Sequence, residues 1–179
     1  MIPVGYMAKK IVAKPSWLKT DQVSDIYSVS GCTSHEFADY FNLWKHNGYW
    51  FFDSPDIIRE VAKEHTISLD DTKLFYYEVY EFQYYEDNSE WETFEPEKSF
   101  VTNVKPPIEK FLEGYDVVSF SGGNAPECSY LSCNHMAEHI TVNKHCLLTS
   151  FEEAKNALEQ MMFDGCEPGP CRIFSVYSI

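Results

Sequence analysis

Arginine is nearly missing from this 179-residue chain, which holds only Arg59 and Arg172. Bidentate clamps on phosphate draw on arginine, so a nucleotide diphosphate site has few side chains to be built from. Bases of both kinds number 14 against 28 acids, a formal net charge of −14 at pH 7. Such a surplus repels nucleic-acid backbones and anionic membrane surfaces, and it speeds encounter with a basic protein. No stretch approaches the roughly 18 apolar residues that a transmembrane helix requires. The opening residues, MIPVGYMAKKIVAKP, lack the apolar core of a secretory signal,. Without that signal the six cysteines read as reduced thiols of the cytoplasm rather than as a disulfide framework,. Fixed-period repeats and low-complexity tracts are also missing, which sets aside solenoids and disordered linkers.

What the chain does have is apolar and aromatic mass. Hydrophobic residues make up 44% and aromatics 16%, enough for a packed core over residues 1–179 as a single domain. Strands are predicted over 2–13, 25–30, 49–52, 74–85, 90–94, 115–120, 140–142 and 172–177 from alternation and β-formers. Helices are predicted where caps precede apolar faces. Thr33 and Glu36 have capping-box spacing before Phe37, Tyr40, Phe41 and Trp44, and Gly48 supplies the stop. Ser54-Pro55 starts a second helix, with Ile57, Ile58, Val61 and Ala62 on its apolar face. Ser150 and Glu153 repeat the capping box ahead of Phe151, Ala154, Leu158 and Met161, in a helix running to Gly165. A short helix is predicted from 107 to 113, and one or two helical turns around 134–139. These elements lack a regular βαβ rhythm. The expected fold is therefore α+β: a mixed or mainly antiparallel sheet of about six strands, with three to four helices packed against one side of it.

Chemistry-bearing residues concentrate between Asp116 and Leu148. Cys128, Cys133, His135, His139, His145 and Cys146 follow a C-x4-C-x-H-x3-H-x5-H-C spacing. Zinc takes such ligands, but the pattern is neither a zincin helix nor a paired C-x2-C ribbon, and no metal is assigned. A thiolate nucleophile is the other chemistry of this set. It needs a base nearby and amides for an oxyanion. Cys133 is the first candidate, with His145 or His139 as its base and Asn134 or Asn143 to orient the base. Cys32, before the predicted 33–48 helix, is the second candidate. Ser121-Gly122-Gly123-Asn124 reads as a tight turn.

The layout IYSVSGCTS followed by GYWFFDSPDIIREVA, over about residues 25 to 63, resembles that of ADP-ribosyltransferase-type domains. In those, a strand with a polar NAD contact precedes a hydrophobic strand and a helix. The resemblance implies NAD as a ligand to test. The chain departs from the pattern: the catalytic glutamate near a late strand is missing, and no arginine or histidine stands at Tyr27 or Ser28. No cofactor is assigned.

The stretch from Glu78 to Glu97 interleaves acids with aromatic rings and contains no base. Asp87-Asn88-Ser89 is turn chemistry, so it reads as a hairpin. Glu78, Glu81, Tyr84, Tyr85, Glu86, Asp87, Glu90, Trp91 and Glu92 are its candidate partner-binding residues. Rings beside carboxylates suit an interface opposite lysine and arginine. The leading expectation is an acidic cytoplasmic binding protein, an inhibitor or immunity-type module that occludes a basic partner through this hairpin. Direct nucleic-acid and membrane binding are not expected, and the oligomeric state is left open. The alternative is a small enzyme with a Cys/His site, or a zinc held by the same cluster, in residues 128–146.

Overall fold

The computed structural model describes residues 1–31, 47, 49–94, 103–120 and 126–179. The elements follow in the order β1 (Ile2–Lys10), β2 (Val12–Ala13), β3 (Asp25–Ile26), α1 (Pro55–Glu64), β4 (Thr72–Val79), β5 (Phe82–Tyr85), β6 (Glu90–Thr93), β7 (Phe111–Ser119), a 3-10 turn (Met136–Glu138), α2 (Phe151–Glu159) and β8 (Cys171–Ser178). Six of the strands form one antiparallel sheet; β2 and β3 pair separately.

Strand β8 is the axis of the sheet. Along one side it pairs with β7, from Ser119↔Cys171 to Phe111↔Ser178. Along the other it pairs first with β5, at Tyr84↔Cys171, and then with β4, from Val79↔Phe174 to Phe75↔Ser178. The long aromatic strand predicted over 74–85 is thus two strands. Between them Tyr80 still donates its amide to Ile173 (2.8 Å). The break lets β4 carry β1 on its far side while β5 carries β6.

Both faces of this sheet are covered. On β7 and β8, Val117 and Ile173 belong to one apolar cluster, while Val118, Phe174 and Val176 belong to the other. Adjacent residues of a strand point to opposite faces, so the two clusters are the two faces. Helix α1 gives Ile58, Val61 and Ala62 to the cluster of Val118, Phe174 and Val176, and α2 gives Ala154, Ala157 and Leu158 to that of Val117 and Ile173. Ser54 caps α1, and Ser150 with Glu153 closes a capping box on α2,.

The helical part of the expected fold is overturned. Among the described residues there are two α-helices and they lie on opposite faces, not three to four on one side. The stretch predicted as a helix over 107–113 runs instead into β7, because Phe111 and Leu112 find register partners on β8. Tertiary pairing outweighs weak local preference. The turns around 134–139 shrink to the 3-10 turn, α2 stops at Glu159 rather than near Gly165, and residues 140–142 form no strand. The helix predicted from Thr33 to Gly48, the candidate Cys32 and the 121–124 turn lie outside the described residues.

The two outer strands β1 and β7 are closed by the same device. Each carries a register irregularity at a glycine in the left-handed half of backbone space, Gly5 (φ +134°) and Gly114 (φ +151°). A separate segment bridges onto the strand beside it, Phe52 onto Tyr6 and Leu148 onto Tyr115. A Cβ on Gly5 would lie 2.6 Å from the Phe52 carbonyl, and one on Gly114 would lie 2.7 Å from the Leu148 carbonyl. Only glycine admits such closeness at that φ.

Two buried charged side chains lock residues 28–30 to this sheet. Lys9, on β1, is 1% exposed and donates to the carbonyls of Ser28 (2.6 Å), Val29 (2.8 Å) and Ser30 (3.1 Å). Asp116, on β7 and fully enclosed, accepts from the Val29 amide (2.8 Å), the Ser129 hydroxyl (2.6 Å) and the Ser28 hydroxyl (3.3 Å). The short segment 28–30 is held by its carbonyls from one side and by its donors from the other.

Two expectations follow from these contacts. Gly114→Ala should lower unfolding free energy by roughly 1–3 kcal/mol, through strain and collision with the Leu147 Cβ and the Leu148 carbonyl,; equal urea midpoints for the two proteins would contradict this. Burial raises the Asp116 carboxyl to about 6, opposed by its hydrogen bonds from Ser129, Val29 and Ser28 and by the charge of Lys9. An unfolded aspartate titrates near 3.9. Between about pH 4 and 6 the folded form keeps a proton that the unfolded form has lost, so this group's contribution to stability falls as pH rises through that window and is level above it. Asp116→Asn should remove a slope on the order of 2–3 kcal/mol, seen as a wild-type-minus-variant difference that changes between about pH 4 and pH 6.5.

Candidate functional site

Residues 127–148 wrap the open side of β7. Glu127 donates its amide to Ser119, Ser119 to Cys128, and Tyr130 to Val117, each at 2.9–3.0 Å. The chain then turns through His135, whose φ of +64° is left-handed, and comes back to bridge Tyr115 at Leu148. This wrapping places the three predicted catalytic residues in three different surroundings.

Cys133 lies beside the clamped 28–30 segment, with its Sγ 3.5 Å from the Ser30 hydroxyl and 3.9 Å from that of Ser132. His145 faces elsewhere. Its ring stacks on Tyr27 at 3.9 Å between centroids, Nδ1 meets the Asp25 carboxylate, and Nε2 lies 3.6 Å from Glu113. Glu113 in turn holds Lys73 (3.4 Å) and the Ser178 hydroxyl (2.5 Å), and Lys73 donates to the Tyr27 hydroxyl (3.0 Å). Burial works to raise the Glu113 carboxyl, but Ser178, Lys73 and His145 outweigh it and hold it below the usual range. The imidazole is therefore a strut between β3 and β7, with a carboxylate at each nitrogen, and it does not face the Cys133 thiol. His139 is exposed and lines an open cavity of about 350 Å³ with Ile140, Leu148, Ala157 and Met162.

The set does not gather around a metal either. Among the described residues no three or more His, Cys, Asp or Glu side chains are arranged to hold one. The two carboxylates at His145 sit at opposite ring nitrogens, so one ion could not bind all three groups. His135 instead packs against Trp17 and lies 3.4 Å from Glu138. The five described cysteines are free thiols. Burial pushes Cys146 well above its ordinary value, Cys166 to about 11 and Cys171 to about 12, with neighbouring negative charge adding to each. Thiols so placed stay protonated at neutral pH and are poor nucleophiles.

The acidic hairpin forms as β5 and β6, in register from Phe82↔Thr93 to Tyr85↔Glu90. Its candidate residues divide. Glu78 is occupied: Lys110 (2.5 Å), Tyr177 (3.0 Å) and Tyr76 (3.2 Å) donate to it. Burial opposes ionisation there, and those donors prevail and lower the carboxyl. Tyr84 is 1% exposed and belongs to the core. Glu81, Asp87, Glu90 and Glu92 are exposed, while Tyr85, Glu86 and Trp91 are half-buried. The Trp91 ring packs on Tyr80 and Tyr84, and its indole N–H donates to Glu159 of α2 (2.9 Å). Glu86 is raised by burial first, then by Asp164 and Asp87. Glu95 and Glu97 lie outside the described residues.

Lys9, Asp116, Asp25, Glu113 and Arg172 are the polar residues that pattern reading passed over. A signal was present for three of them: Lys9, Asp116 and Arg172 each interrupt an apolar strand, and a charge in such a place requires a partner inside. Comparison of the chain with protein-family models, with curated proteins and with solved structures finds no match. No helix among the described residues is long and apolar enough to cross a membrane.

Alkylation tests the thiol assignment. At about pH 7.5, Cys146 and Cys171 should react with iodoacetamide at least ten times more slowly than free cysteine, site by site in peptide mass spectra. Labelling of either at the free-thiol rate would contradict the buried, protonated state.

Proposed function

We propose that this protein is an acidic binding module that captures and occludes a basic partner protein through the β5–β6 hairpin. The observation that carries the reading is the carboxylate group at the hairpin turn. Glu86 and Asp87 lie near Asp164, which follows α2, and burial first, then the charges of Asp164 and Asp87, disfavours ionisation of Glu86. A fold gains nothing from crowding like charges. A surface that receives lysine or arginine does, because the partner relieves the repulsion. Trp91 and Tyr85, half-buried next to exposed Glu90 and Glu92, supply ring surface for a contact centre,.

Within the described residues β6 ends its side of the sheet, so the hairpin presents an edge as well as a face. Contact begins with long-range attraction: a partner rich in lysine and arginine is steered toward the acidic side, and the on-rate falls as salt shortens the screening length. Occlusion then follows from the hairpin covering the partner's surface, with no bond made or broken. Free thiols support a reducing compartment, and we place the protein in the cytoplasm,. The enzyme alternative on Cys133 draws no support from the geometry, since both ring nitrogens of His145 face carboxylates and His139 opens on a different cavity.

Charge tests this directly. Partner capture from a lysate of the native host, run at low and high salt, should be lost when Glu86, Glu90 and Glu92 are changed to Lys. Glu86→Gln should weaken capture yet raise the thermal midpoint by about 1–2 °C, because it removes a repelled charge. Capture that survives the triple reversal would sink the reading.

A further inference from the structure

Among the described residues, the interior cations have a carboxylate near them except in one place. Lys9 has Asp116 in its field, Lys73 has Glu113 at 3.4 Å, and Lys110 has Glu78 at 2.5 Å. Arg172, at the start of β8, is 2% exposed and forms no ion pair among the described residues. The rings of Phe94 and Phe120 lie against its guanidinium, 3.1 and 4.2 Å from Cζ. Nη2 donates to the Gln83 side-chain carbonyl at 3.3 Å, and Nε is enclosed with no acceptor. Tyr49 and Tyr85 are the other titratable groups acting on it, and both are phenols.

This chain has twice as many acids as bases, so the missing partner does not reflect a shortage of carboxylates. The side chain that does reach Arg172 is Gln83, the neutral isostere of glutamate. Glu92, the register partner of Gln83, is exposed. A buried charge without a counter-ion costs several kcal/mol, and a guanidinium offers a planar fork shaped for carboxylate or phosphate.

We propose that Arg172 is the recognition group of a small-anion site where the ends of β5, β6 and β7 meet β8, taking a carboxylate or phosphate group of a soluble ligand. The anion supplies the counter-charge that Gln83 withholds and gives Nε its acceptor. The two rings exclude water from the pair, which strengthens it. Phe94 is the less deeply buried wall, 7% exposed against 3% for Phe120, and it directly follows β6. This inference stands apart from the partner-binding reading, which concerns the outer face of the hairpin.

The arginine Nε–H resonance of Arg172 reads the site in the intact protein. Inorganic phosphate and succinate would be titrated separately, against sodium chloride at equal ionic strength. A saturating shift with a dissociation constant of about 1 mM or below for at least one of them is expected, and which one responds assigns phosphate or carboxylate as the ligand chemistry. Gln83→Glu installs an internal counter-ion without enlarging the side chain. It should weaken that binding at least tenfold and raise the thermal midpoint, and Arg172→Gln should abolish the response. A shift that only tracks salt without saturating, or saturation that Gln83→Glu leaves unchanged, overturns the proposal.

Discussion

The buried clamp that Lys9 and Asp116 close on residues 28–30 is the constraint on which the rest of the structure depends. A charge in a protein interior is costly unless hydrogen bonds or an opposite charge compensate it. The ammonium meets that condition with three consecutive carbonyls, those of Ser28, Val29 and Ser30. The carboxylate meets it with the Val29 amide and two serine hydroxyls. One short segment therefore supplies partners to β1 and β7 at once, although the two strands lie on opposite margins of the sheet. The position of Cys133 beside Ser30 and the route of the wrapping segment through Ser129 both follow from it.

Around that pair the charges are sorted by location. The stack of Tyr27 on His145, with Asp25, Glu113, Lys73 and Ser178 around it, ties the arm to the far ends of β4, β7 and β8. Groups that looked available for catalysis are spent there on cohesion. Outside that network, among the described residues, burial and the charges of Asp164 and Asp87 disfavour ionisation of Glu86 on the hairpin. Cohesion thus uses only part of the surplus of acids.

Much of the local structure was legible in the residues. Ser54-Pro55 and the Ser150–Glu153 box begin α1 and α2 where their hydroxyls indicated. The hairpin turned at Asp87-Asn88-Ser89, and the alternation of RIFSVY marked β8. The break between β4 and β5 was not legible, because LFYYEVYEFQYY is continuous in β-propensity and only two different neighbours divide it. Nor was the strand at Phe111-Leu112, whose pairing partners lie some 65 residues away on Tyr177 and Ser178. Of the candidate site, exposure of Glu81, Asp87, Glu90 and Glu92 agrees with their polarity. The engagement of Glu78 by Lys110 and the burial of Tyr84 depend on strands remote in the chain.

The amino-acid order by itself determined helix starts, turns, the acidic balance and the aromatic content of the core, because these arise from neighbours within a few residues or from composition alone. Tertiary structure decided which charges are partnered. Asp25, Glu113 and His145 are far apart in the chain, as are Lys9, Asp116 and residues 28–30, and such contacts exist only where the fold brings their members within a few ångströms. The same reason leaves Arg172 facing Gln83 and two phenyl rings, since the identity of a buried neighbour is settled by strand register and not by sequence proximity.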